Sequence, residues 1–203
     1  LIGHTQQTLG RKRSVEDYQN LLISNLEEYE RLARMIDSML FLARTEQANA
    51  TINRVTLNLH ELVAQLCEYF EGMAQESAIE LINQTSGELS ADAQLLRRAL
   101  ANLLANALRY GRADSRVTIS SRIRQGACEI SVHNCGEPIA AEHLAHLFER
   151  FYRCDPSRNQ PDDSGGLGLA IVRSIMQAHG GQVSVVSNET GTTFSLLFAA
   201  SNA

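Results

Sequence analysis

Residues 97–110 read Arg97-Arg98-Ala99-Leu100-Ala101-Asn102-Leu103-Leu104-Ala105-Asn106-Ala107-Leu108-Arg109-Tyr110, and this run decides the fold. Leu100, Leu103, Leu104, Ala107 and Leu108 form one apolar stripe at helical spacing, so a helix is predicted over 91–110. Asn102, Asn106 and Arg109 recur at i, i+4 and i+7, which puts them on one face beside that stripe. Two neutral oxygen donors and a cation on one helix face suit a metal–phosphate group. A hard Mg²⁺ ion takes oxygen ligands and keeps several waters. Taken alone, two asparagines on a helix are more often solvent-facing or packing residues.

A second run lies downstream. Ser164-Gly165-Gly166-Leu167-Gly168-Leu169-Ala170-Ile171 opens a helix predicted over Leu167–His179. Glycines let backbone N–H groups approach an anion, and a helix N-terminus adds positive partial charge. No Gly-Lys-Ser/Thr follows, so this is not a Walker A loop. A polar loop precedes it rather than a strand, so the dinucleotide fingerprint fails too. Between the two runs stand Val132-His133-Asn134-Cys135-Gly136-Glu137-Pro138-Ile139 and Leu147-Phe148-Glu149-Arg150-Phe151-Tyr152-Arg153. Gly191-Thr192-Thr193-Phe194 closes the series and by itself marks only a hairpin.

The rest of the chain gives the frame. Residues 1–9 read as the end of a helix and Gly10–Arg13 as a turn. Ser14 is an N-cap candidate for a long helix running to about Glu46. Tyr18, Leu22, Tyr29, Leu32, Ile36, Met39 and Ala43 fall near a heptad seam, with Asn25 as a polar break. So apolar a helix calls for a bundle partner, and a homodimeric four-helix bundle is the economical one. The competing reading packs it on the chain's own globular domain. Residues 47–54 turn polar and mark a linker. Beyond it, strands are expected at Val55–Leu59, Ile79–Ile82, Arg116–Arg124, Ala127–His133, Gln182–Ser187 and Thr192–Phe198. A helix is expected over His60–Ser77, and residues 155–166 form a polar loop. The class is α+β, with a mostly antiparallel sheet packed on helices.

Composition excludes several classes. Apolar residues make up 44% and charged residues 20% of 203, ordinary for a globular domain. No run of about eighteen apolar residues offers a membrane span. A net charge of −5 argues against nucleic acid as partner, because phosphate neutralisation needs a basic footprint. Cys67, Cys128, Cys135 and Cys154 make no C-x-x-C pair and read as reduced thiols. The opening LIGHTQQTLG lacks a secretory-leader pattern, and its amphipathic spacing suggests a piece of a longer chain.

In this order, the five motifs resemble the ATP-binding domain of sensor histidine kinases, the Bergerat or GHKL α/β-sandwich. Asn102–Tyr110 resembles the N box, Asn134–Ile139 the G1 box and Phe148–Arg153 the F box. Gly166–Leu169 resembles the G2 box and Gly191–Phe194 the G3 box. The resemblance runs from about Val55 to the C-terminus. Residues 24–43 are similar to the second helix of the dimerisation and histidine-phosphotransfer domain. Glu142-His143-Leu144 and Phe151–Arg158 look most like the heavy-metal (copper/silver-type) sensor kinases.

The resemblance implies three parts. Residues 1–46 would be a partial phosphotransfer hairpin, 47–54 a linker and 55–203 the catalytic domain. The cofactors implied are ATP and Mg²⁺. Asn106 would hold Mg²⁺ through the ATP phosphates, supported by Asn102. Arg109 and Tyr110 would line the phosphate and ribose side, and Arg153 would reach the terminal phosphate. Asn106, Arg109 and Arg153 are thus the implied catalytic residues. Asn134, Gly136 and Ile139 would meet the adenine end, with Thr193 in support. Gly166, Leu167, Gly168 and Leu169 would cradle the phosphates, and residues 155–165 would form the ATP lid. The implied partners are a response regulator and a second copy through the helical bundle. The implied setting is the cytoplasmic part of a bacterial inner-membrane sensor.

The sequence departs from the family pattern at four places. Asn134 stands where the G1 box has Asp, Pro138 where a second Gly is common, and Ser164 where the G2 run starts with Gly. No His sits in an H-E-x-R-T-P motif, and His4 matches only that His and the Thr four later. The helix alignment places the acceptor roughly two turns or slightly more before Leu1. This chain is therefore expected to bind Mg-ATP without phosphorylating itself. Two alternatives stay open. One is a GHKL-type ATPase, although the gyrase- and MutL-like members carry a Glu at the position of Asn102. The other is a non-catalytic dimerisation module with a degenerate pocket.

Overall fold

The computed structural model describes residues 14–45, 52–124, 126–154 and 165–199. The expectations for Gly10–Arg13, His4, Ser164, residues 155–164 and most of the linker lie outside the described residues.

Helix α1 spans Val15–Thr45. Ser14 and Asp17 cap it reciprocally: each backbone N–H donates to the other's side-chain oxygen at 3.1 Å. The helix has two apolar faces. Leu42 is buried in the domain core, with Met35 and Phe41 packed against it, and Thr45 Oγ1 lies 2.6 Å from Ser174 Oγ. Tyr18, Leu22, Tyr29, Leu32, Ile36 and Met39 remain exposed, between 36% and 66%. The reading that packs this helix on the chain's own domain holds for part of its length. Its C-terminal half packs on the domain, while the heptad seam is left open.

The domain follows as β1 (Arg54–Asn58), α2 (Leu59–Glu76), β2 (Ile79–Gln84), β3 (Glu88–Asp92) and α3 (Ala93–Tyr110). Then come β4 (Ser115–Arg124), β5 (Ala127–Asn134), the short α4 (Ala141–Leu144), α5 (Gly168–Ala178), β6 (Gln182–Asn188) and β7 (Gly191–Phe198). The main sheet has the order β2-β4-β5-β7-β6. Only the β2–β4 pair is parallel. β1 and β3 form a separate antiparallel pair. This pair shortens the expected helix: Ala91 and Asp92 end β3. Asp92 then caps α3, accepting from the N–H groups of Gln94 and Leu95 at 3.0 and 3.1 Å.

Alternation along the strands sets the core. Cys128, Ile130, Val132 and Asn134 of β5, with Thr192, Phe194, Leu196 and Phe198 of β7, are all buried on the helix-facing side. Opposite them lie Leu96, Ala99, Leu100, Leu103, Leu104, Ala107 and Leu108 of α3 and Ile171, Val172 and Ile175 of α5. Helices α2, α3 and α5 therefore cover one face of the sheet. The other face carries hydrogen-bonded polar pairs, Ser131–Ser195 and His133–Thr193.

Candidate functional site

Several of the expected site residues, Tyr110, Asn134, Gly136 and Ile139, meet around the end of β5. The stripe of α3 turns inward, so Asn102, Asn106 and Arg109 stand half-buried at its margin, and Tyr110 is exposed at the helix end. Asn102 Nδ2 donates to the Arg98 carbonyl at 2.7 Å, which fixes its carboxamide along the helix. The Asn106 carboxamide has no hydrogen-bond partner among the described residues.

The end of α3 is tied to the segment after β5. Arg112 N–H donates to the Cys135 carbonyl at 2.7 Å. A side chain at Gly136 would collide with the Tyr110 carbonyl oxygen and stand 3.0 Å from Asn134 Nδ2. Only Gly permits that approach. Ile139 N–H donates to Ser187 Oγ at 2.9 Å, which pins the same segment to β6.

Asn134 is the most informative residue here. It ends β5 between Val117 of β4 and Thr192 of β7, and only 3% of it is exposed. Its carboxamide makes no hydrogen bond to any described residue. A buried amide without a partner costs about 1–3 kcal/mol, and such groups in native proteins call for an explanation.

The glycine run docks on the aromatic segment. Phe151 N–H donates to the Gly166 carbonyl at 3.0 Å. Gly166 has φ +75°, and a Cβ there would stand 2.8 Å from the Phe151 carbonyl carbon. Leu167 is fully buried, so it anchors the run, and Gly168 and Leu169 begin α5. Arg153 is half-buried beside this contact. The Tyr152 hydroxyl lies 2.7 Å from His143 Nδ1. Burial and the nearby Cys154, Glu142 and Glu149 raise the Tyr152 pKa, so the phenol stays protonated beside the imidazole. Phe148 packs edge-on to Phe194 at 6.1 Å, which joins this segment to β7.

One expected residue faces elsewhere. Thr193 points to the outer side of the sheet, where its hydroxyl meets His133 Nδ1 at 2.9 Å. Its neighbour Thr192 is buried, 4% exposed, in register with Asn134. The alternation itself holds the signal: Phe194 is the core residue, so the threonine two before it shares its face.

Burial and Glu129 push the Cys128 thiol up to about 11. Among the described residues no group of three or more His, Cys, Asp or Glu could hold a metal ion.

Residues 91–202 match the family described as histidine kinase-, DNA gyrase B- and HSP90-like ATPase, and the chain belongs to that family. Its relatives are more particular. The chain is 40% identical over 201 residues to the sensor histidine kinase CusS of Escherichia coli O6:H1 (strain CFT073), covering 98% of this chain. It spans only 42% of the length of that relative. Two solved structures share the architecture. The Acinetobacter baumannii histidine kinase AdeS superposes with a TM-score of 0.80 at 21% identity, over 98% of this chain and 93% of that one. Full-length ShkA in complex with AMPPNP gives 0.76 at 27% identity, over 96% of this chain and 41% of that one. No helix among the described residues is long and apolar enough to cross a membrane.

Proposed function

We propose that the chain is the Mg-ATP-binding core of a two-component sensor histidine kinase of the heavy-metal (copper/silver) type. In the parent protein a histidine outside this chain would be phosphorylated and would pass the phosphate to an aspartate of a response regulator. The buried carboxamide of Asn134, which makes no hydrogen bond to any described residue, carries the reading. It lies between the tied-down end of α3 and Thr192, where an adenine amino group would supply the missing donor. The likeness to CusS supports the kinase reading, and the AMPPNP bound to ShkA supports the nucleotide.

The residues divide the work as follows. Asn106, backed by Asn102, offers its oxygen to the metal. Bound Mg²⁺ would neutralise phosphate charge as it develops during transfer. Arg109 and Tyr110 would line the phosphate and ribose side, and Arg153 would reach the terminal phosphate. The N–H groups of Gly166, Leu167, Gly168 and Leu169, at the start of α5, cradle the phosphates. Asn134, Gly136 and Ile139 hold the base. We assign the supporting threonine to Thr192 rather than Thr193, because Thr192 shares a face with Asn134. The chain contributes positioning and electrostatics, with no covalent step of its own. The position of Asn102 lacks the carboxylate that would activate water, which disfavours an ATPase.

Calorimetric titration of Mg-ATP tests the site. The wild type is expected to bind, and Asn106→Ala to lose binding by tenfold or more, as does chelation of Mg²⁺. Equal binding by both proteins would contradict the assignment.

We also assign the open seam of α1 to a second copy of the chain, forming the bundle expected of a cytoplasmic kinase core. Sedimentation equilibrium should then show a dimer that Ile36→Glu dissociates. A monomeric wild type would contradict the pairing.

A further inference from the structure

A cavity of about 170 Å³ opens at the end of the sheet away from Asn134. Cys128 lies near the start of β5 and Asn134 ends it, so the two places stand about 20 Å apart along the strand. The cavity lies where the β1–β3 pair meets the start of β5, the end of β7 and the end of α5. That pair is a sheet of its own, so no backbone ladder closes the seam. The floor is buried: Cys128 is 2% exposed, and His179 and Phe198 are 4% each. The His179 ring stands edge-on to Phe198 at 5.6 Å. Both its nitrogens are engaged, with the Ile175 carbonyl and the Asp92 N–H. The Cys128 thiol makes no hydrogen bond to any described residue, and burial keeps it protonated. The floor is therefore uncharged. Its volume suits one six-membered ring, since a protein cavity of about 150 Å³ holds benzene.

The rim is charged, with opposite signs at its two ends. Arg54 Nη2 donates to the His179 carbonyl at 2.8 Å, which anchors the guanidinium at one end. The rest of its planar fork of N–H donors meets no carboxylate among the described residues. Asp92, across from Arg54 in the β1–β3 register, is already engaged by the N–H groups of Asn53, Gln94 and Leu95. Glu88 lines the other end, four residues along β3 from Asp92 and so about 13 Å away by strand rise. Its carboxylate has no partner among the described residues. Ser90 lies between them on the same face. A ligand carboxylate matches the Arg54 fork bidentately, and a ligand hydrogen-bond donor matches Glu88. On a benzene ring, para substitution places those two groups in line and farthest apart.

We propose that this cavity is a second ligand site, which takes a small monocyclic aromatic carboxylate bearing a hydroxyl or amino donor para to the carboxylate. Arg54 holds the carboxylate, the ring lies over Cys128 and Phe198, and the donor faces Glu88. No residue assigned to the nucleotide takes part, so the proposal stands apart from that reading.

The test is calorimetric titration of the whole chain with 4-hydroxybenzoate as probe. A dissociation constant below about 1 mM is expected for a ligand of this size. 4-Hydroxybenzyl alcohol lacks the carboxylate and should bind about tenfold more weakly or worse. Benzoate lacks the donor and should bind a fewfold more weakly. Arg54→Gln should weaken the probe about tenfold or more, and Ser90→Leu, which fills the space between Arg54 and Glu88, should abolish binding. Circular dichroism melts confirm that each variant is folded. Saturating Mg-ATP should leave the affinity for the probe unchanged. Absence of binding at about ten times the expected constant would overturn the proposal. So would a folded Arg54→Gln or Ser90→Leu that binds the probe as the wild type does. Competition between Mg-ATP and the probe would place the ring in the nucleotide site and overturn it too. Should Ser90→Leu fail to fold, Arg54→Gln and the two probe analogues decide.

Discussion

The Arg98 guanidinium lies over the Phe41 ring, 3.9 Å from its centroid. The contact joins α1 to α3 one turn before Asn102, so the long helix touches the element that carries Asn102 and Asn106. Burial lowers the Arg98 pKa, with the charge of Asp37 opposing that shift. A partly desolvated cation over an aromatic face is worth about 1–2 kcal/mol.

Replacing both partners therefore gives a defined outcome. In a double-mutant cycle of Phe41→Ala and Arg98→Ala, unfolding free energies should show coupling of about 1 kcal/mol. Additivity within about 0.3 kcal/mol would show that the stack contributes nothing.

The contact of Gly166 with Phe151 gives a second prediction. Gly166→Ala places a methyl 2.8 Å from backbone at a positive φ. Strain of this kind costs about 1–3 kcal/mol, and relief requires the segment proposed to cradle the phosphates to move. The variant should melt several degrees lower and bind Mg-ATP at least tenfold more weakly. A variant with unchanged affinity would show that the turn does not set the phosphate-binding N–H groups.

Much of this was legible in the sequence because its periodicities are strong. The stripe of α3, the alternation of β4 and β5 and the Gly180-Gly181 stop after α5 each follow from local pattern. β3 was not legible. Its sequence ELSAD offers only Leu89 and Ala91 as apolar residues, and its strand character comes from pairing with β1. The four-residue α4 is too short for a periodic signal. At the site, the face shared by Asn102, Asn106 and Arg109 was readable from spacing alone. That Thr192, and not Thr193, shares the face of Asn134 was readable too, from the core position of Phe194. The contact between Ser187 and Ile139 was not. It depends on the β6–β7 register and on a loop 48 residues away meeting the same oxygen. Contacts made across the fold leave no local trace.

His179 gives a pH prediction. It is 4% exposed at the end of α5, with Nδ1 donating to the Ile175 carbonyl at 2.9 Å and Nε2 accepting from the Asp92 N–H at 3.1 Å. Burial lowers its pKa below the ordinary value, aided by Arg54, while the Ile175 bond and Asp92 oppose. The neutral ring is thus the folded form, and protonation removes the acceptor for Asp92. Between the folded and unfolded pKa values the unfolded chain binds more protons, so stability rises with pH. The contribution is complete above the unfolded value of about 6.5 and is lost as pH falls through the folded one. The urea midpoint should drop from pH 7 to pH 5, and less steeply in His179→Gln. Parallel pH profiles for the two proteins would contradict this.

The central claim is that the buried amide of Asn134 is kept for a ligand. Asn134→Leu tests it most directly, with urea unfolding and Mg-ATP calorimetry on the same preparation. Leucine keeps the branching and heavy-atom count and removes the unsatisfied polar group, a change that is neutral or stabilising when no partner is lost. The account predicts a free protein at least as stable as the wild type, by up to about 1 kcal/mol, with Mg-ATP affinity reduced tenfold or more. A destabilised variant that binds Mg-ATP as tightly as the wild type would contradict it.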